Sequence, residues 1–135
     1  MIRAIRHDVP LVVSKARALD EAYKVVGKQG RVIRDGVGRI AYDMGDYILV
    51  AKTYGIGIVS CHKSLLSMGK PIVMYLQDSK RFYRFDLQNI KEEIERNPNK
   101  YVNRRGHFMM QNFPLGLGTR WEPGQVDVPK QEKFF

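Results

Sequence analysis

The stretch from Asp46 to Lys63, DYILVAKTYGIGIVSCHK, carries an acid at its start and Ser60, Cys61, His62 and Lys63 at its end. A carboxylate such as Asp46 offers hard oxygen ligands to a divalent cation. Lys63 can offset phosphate charge, and His62 can move a proton near neutral pH. Cys61 is a nucleophile only as its thiolate, and a small buried hydrophobe otherwise. Asp43, three residues before Asp46, can share that acid's role or replace it. Glu21, upstream, can join them as a cation ligand or pair with Lys24 on a helix surface. Successive strand residues face opposite ways, so Cys61 and His62 do not form a dyad by adjacency alone.

Positioning these groups falls to the elements around them. Ile48 to Val50 leads through Tyr54-Gly55 into Ile56 to Val59, which predicts a two-stranded hairpin. That hairpin would hold Asp46 near one end and the Cys61-His62-Lys63 cluster near the end of its second strand. Before it, Ser14 to about Gln29 reads as a helix with Ala18, Leu19, Ala22, Val25 and Val26 on one face, Gly27 in its last turn and Gly30 closing it. Arg31 to Arg34 and Arg39 to Tyr42 read as strands flanking the Asp35-Gly36 turn. Ser64 to Met68 predicts a short helix ended by Gly69. The apolar run Pro71 to Leu76 predicts a central strand covered on both faces. Arg81 to Phe85 alternates as a strand, and Asp86 caps a helix carrying Leu87, Ile90 and Ile94. One more strand is expected over His107 to Phe113, then a tail of little structure from about Gly116. The class is α/β or α+β: one domain over residues 1–115 with a central mixed sheet flanked by helices, and a tail over 116–135.

Composition narrows the partners. Twenty-three Lys plus Arg against fourteen Asp plus Glu give a net charge of +9 over 135 residues, with a pI of about 9.8. Such a balance attracts polyanions through counterion release, so nucleic acid is the leading partner class. One cysteine excludes an internal disulfide. No apolar run approaches the roughly 20 residues that span a bilayer, and the N-terminus lacks the apolar segment of a signal peptide; a cytoplasmic protein with no membrane partner is expected.

The element order, with Asp46 opening a strand and Lys63 closing the next, resembles the PD-(D/E)XK nuclease superfamily, and within it the archaeal Holliday junction resolvases. Their pattern is a Glu in the first helix, an Asp opening a strand, and Glu-x-Lys closing the following strand. Glu21, Asp46 and Cys61-His62-Lys63 stand in those places here, with Cys61 where the Glu belongs. The resemblance covers residues 14–115 and implies a restriction-endonuclease-like fold. It also implies Mg²⁺ held by Asp46 with Asp43 or Glu21, Lys63 assisting the attacking water, a DNA substrate and a homodimer. Cys61 removes one hard ligand from such a site. Two further readings stand beside a metal-dependent DNA endonuclease. One is a non-catalytic nucleic-acid-binding or accessory protein of virus or plasmid type; the other is a metal-independent RNase using His62 or His107.

Candidate contacts to nucleic acid lie outside that stretch. Arg104 and Arg105 precede Gly106 in a short basic loop able to approach a phosphate. Arg81 and Arg84 interleave with Phe82, Tyr83 and Phe85, either as phosphate contacts beside a base-stacking Tyr83 or as the rim of a strand with aromatics on both faces. His7, His62 and His107 are too scattered for a zinc site. No phosphate-binding glycine loop and no nucleophile elbow is present. The terminal Phe134-Phe135 faintly resembles a sliding-clamp-binding peptide. Val128 and Gln131 occupy the places where that motif needs Gln and an aliphatic residue, so clamp binding is not expected.

Overall fold

The computed structural model describes residues 11–34, 38–54, 57–100 and 110–124. Helix α1 (Leu11–Val26) is followed by strands β1 (Arg31–Arg34), β2 (Arg39–Asp43), β3 (Ile48–Lys52) and β4 (Ile58–His62). Then come α2 (Lys63–Leu66), β5 (Ile72–Leu76), β6 (Arg81–Phe85), α3 (Leu87–Arg96) and β7 (Met110–Pro114). A 3₁₀ turn over Leu115–Leu117 leads to β8 (Thr119–Trp121). The class is α+β, with a mixed six-stranded sheet ordered β1-β2-β3-β5-β6-β8 and a second sheet made of β4 and β7.

Three layers follow from the apolar patterning. Ala18, Leu19 and Ala22 of α1 are buried against Leu49, Ala51, Val73 and Tyr75 on one face of the large sheet. The other face buries Ile48, Val50, Ile72 and Met74 beneath Val59, Cys61 and Phe113 of the small sheet, with Leu65 of α2 and Ile90 of α3. Every residue of β5 is buried, and it runs parallel to β3, as its unbroken apolar run predicts. Helix α1 starts at Leu11, which puts the expected cap Ser14 inside it, and it stops earlier than predicted. Gly27 adopts φ 72° and its N–H donates to the Tyr23 carbonyl at 3.2 Å, so Gly27 rather than Gly30 ends it.

Two expectations are overturned. β3 and β4 are both strands but form no hairpin. β3 has β2 against Ile48 and Leu49 on one side and β5 along its whole length on the other, and β4 pairs antiparallel with β7 instead. The β4–α2 segment thereby serves as the crossover that a parallel pair requires. Nor does the ordered chain finish near Gly116. β8 pairs with β6, and Trp121 is buried, with Tyr47 and Phe82 packed edge-on against it at 5.1 and 5.5 Å. Gly118 lets this return run close to the core, since a Cβ there would meet the Phe85 ring at 2.7 Å.

Candidate functional site

The predicted acids do not converge. Asp46 is exposed in the bend between β2 and β3. Asp43, at the end of β2, has a nearly buried side chain that accepts from Lys70 Nζ at 2.8 and 3.1 Å and from the Gly45 N–H at 2.9 Å. Lys70 first, then the Gly45 amide, hold its carboxyl below the usual aspartate range. Asp43 is thus occupied in tying β2 to the segment that enters β5.

Glu21 lies at the opposite end of β5. It accepts from Lys80 Nζ at 2.8 Å, from Gln77 Nε2 at 3.1 Å and from the Tyr75 hydroxyl. Lys80, then Tyr75 and Gln77, lower its carboxyl from 4.5 to about 2. Its partner is Lys80, from the turn after β5, rather than Lys24. Asp43 is level with Ile48 and Ile72 in the sheet, and Ile72 lies about 10 Å from Tyr75 at the ordinary strand rise. Among the described residues no three of His, Cys, Asp and Glu come together in a way that could hold a metal. Asp46, Asp43 and Glu21 do not fit a shared Mg²⁺ site.

The Cys61-His62-Lys63 cluster also separates. Cys61 points into the core, and burial pushes its thiol up to about 12, so at neutral pH it stays protonated and inert. His62 caps α2, with Nδ1 accepting from the Ser64 N–H at 3.4 Å and lying 2.8 Å from the Ser64 hydroxyl. Lys63 is exposed at the first position of α2. On β6, Arg81 is exposed and Arg84 Nε donates to Asp86 at 3.1 Å, while Tyr83 packs partly on the core. That arrangement fits the rim reading of the strand better than a stacking one. Arg104, Arg105, His7 and His107 lie outside the described residues.

The structure instead assembles a group that the spacing did not point to. β2 and β3 pair over only Tyr42–Leu49 and Asp43–Ile48, so their ladder ends before Arg39 and Lys52. At this opening Lys52 Nζ donates to Ser60 Oγ on β4 at 3.3 Å. Burial, and next the positive charge of Lys15 on α1, lower the Lys52 ammonium from 10.5 to about 8. Among the described residues no carboxylate pairs with Lys52 or Lys15. Arg39, at the start of β2, is engaged elsewhere, donating from Nη2 to Asp20 at 3.2 Å and from Nη1 to Tyr42 Oη at 3.0 Å. Two like charges held together beside a hydroxyl, one of them partly desolvated, form a site complementary to an anion. The sequence signal was a lysine closing the otherwise apolar strand ILVAK; the helix packing that brings Lys15 to it was not visible.

No protein-family model, curated protein or solved structure matches the chain.

Proposed function

We propose that this chain is a non-catalytic DNA-binding protein that holds the phosphodiester backbone at Lys15, Lys52 and Ser60, on a restriction-endonuclease-like core. One observation carries the reading: Lys52, largely buried with its ammonium on Ser60 Oγ, feels the positive charge of Lys15 and has no carboxylate partner among the described residues. Like charges are brought together at a cost, which an incoming phosphate offsets. The net charge of +9 supplies the long-range attraction.

The order of elements supports the finer fold assignment. A first helix precedes three antiparallel strands, and a short helix leads to a strand parallel to the third. In this frame the strand that closes on a lysine is β3, ending Val50-Ala51-Lys52, and the strand before it opens on Arg39. The resolvase pattern has an Asp at that opening and a Glu two residues before the lysine. Both carboxylates are replaced, by Arg39 and Val50, while the lysine is kept. Loss of the acids and retention of the cation favour a scaffold that grips DNA without hydrolysing it.

The test is fluorescence anisotropy with labelled duplex and branched DNA, alongside cleavage assays in Mg²⁺ and in Mn²⁺. Binding without cleavage is expected, with affinity falling as pH rises past about 8, where Lys52 loses its charge. Lys52→Met should weaken binding and flatten that pH dependence. Metal-dependent cleavage, or wild-type binding by Lys52→Met, overturns the reading.

A further inference from the structure

The chain just beyond Lys52 carries a feature that phosphate binding does not use. Tyr54 is 62% exposed, the most open of the large apolar side chains among the described residues, and Ile58, across the same β3–β4 connection, is 50% exposed. This tyrosine does not sit on a loose end. Gln77 N–H donates to the Lys52 carbonyl at 2.9 Å and Asp78 N–H to the Thr53 carbonyl at 3.0 Å, which continues the sheet pairing up to the residue before it. From the other side of the connection, Leu115 N–H bonds the Gly57 carbonyl. Tyr54 therefore follows directly on backbone anchored to the sheet, two residues and at most about 7 Å of chain from Lys52.

An aromatic face beside a backbone-binding cation is the pairing that single-stranded nucleic acid calls for. The cation tracks the phosphate, and the ring stacks on a base that duplex pairing would otherwise hide. We propose that Tyr54 is a stacking platform for an unpaired base, so that the Lys15–Lys52 site takes single-stranded DNA, or the unpaired part of a branched DNA, in preference to a continuous duplex. The inference rests on the phosphate site proposed above. A continuous duplex offers that site its phosphates but keeps its bases stacked within the helix, so Tyr54 contributes nothing to duplex affinity.

The experiment measures, with the full chain, the affinity for a labelled oligothymidylate strand of about 20 nucleotides, enough for one or more binding sites, and for a duplex of equal length. Tyr54→Ala should weaken binding of the strand at least about five-fold, while Tyr54→Phe keeps it within about two-fold because the ring is retained. Duplex affinity should change by less than about two-fold in either variant, since no duplex base reaches the ring. Equal losses on strand and duplex, no loss on the strand, or failure of phenylalanine to restore binding overturns the inference. Lys52→Met separates the two layers of the argument. If it binds both DNAs as wild type does, the phosphate site falls and this proposal with it. If it weakens both while Tyr54→Ala binds the strand as wild type does, only the stacking role falls.

Discussion

Glu21→Gln tests whether this acid is a structural clamp or a ligand in waiting. The substitution keeps the shape and removes the charge that Lys80, Tyr75 and Gln77 surround. A carboxyl lowered from 4.5 to about 2 corresponds to about 3 kcal/mol at full strength. Its side chain is 32% exposed and that of Lys80 68%, so solvent screening roughly halves the figure, to about 1 to 2 kcal/mol. The sign follows from the direction of the displacement. A carboxylate depressed in the folded state stabilises fully above its unfolded value of about 4.5, and that stabilisation is lost as pH falls towards about 2. Urea denaturation of wild type and Glu21→Gln should therefore differ by about 1 to 2 kcal/mol at pH 7, and the gap should close on acidification towards pH 2. A gap that does not change with pH, or one below about 0.3 kcal/mol at pH 7, refutes the clamp. So does stabilisation of wild type, but not of Glu21→Gln, by millimolar Mg²⁺, which would make Glu21 a metal ligand.

The Asp43–Lys70 pair should behave as a partly buried ion pair. A double-mutant cycle with Asp43→Asn and Lys70→Met should give a coupling of about 1 to 2 kcal/mol by denaturation, and additivity within about 0.3 kcal/mol would deny the pairing. Cys61, with its thiol at about 12 inside the core, should resist an aromatic disulfide reagent at pH 8 in the folded protein and react once urea unfolds it. Fast reaction in the folded state would reopen a role for this residue as a nucleophile.

Much of the scaffold was legible because its signals are local. The unbroken apolar run of β5 and most of the apolar stripe of α1 report burial through spacing alone, although Val25, expected on that stripe, is exposed, and in β6 it is Phe82 and Phe85 that are buried. What the sequence hid is non-local. Ile56 to Val59 follows β3 across a glycine-bearing connection, as a hairpin partner would, yet β4 pairs with β7, placing Val59 opposite Phe113 and Cys61 opposite Gln111. Once that hairpin dissolves, so does the site built on it. Cys61 turns into the core, His62 becomes a cap, and the lysine that closes a strand beside a parallel neighbour is Lys52 rather than Lys63. The grouping of Lys52 with Lys15 depends on helix α1 lying across β3, which no spacing rule connects.

The central claim is that Lys15 and Lys52 together hold DNA phosphate, and the salt dependence of binding tests it most directly. Each phosphate neutralised contributes roughly 0.9 to the slope of log affinity against log salt on duplex DNA. Lys15→Met/Lys52→Met should therefore lower the slope by about 0.9 to 1.8, corresponding to one or two lost phosphate contacts. Circular dichroism should match wild type, since the paired methionines keep the apolar stems and remove a repulsion together with only one long hydrogen bond, from Lys52 to Ser60 at 3.3 Å. A folded double variant with the wild-type slope would contradict the account.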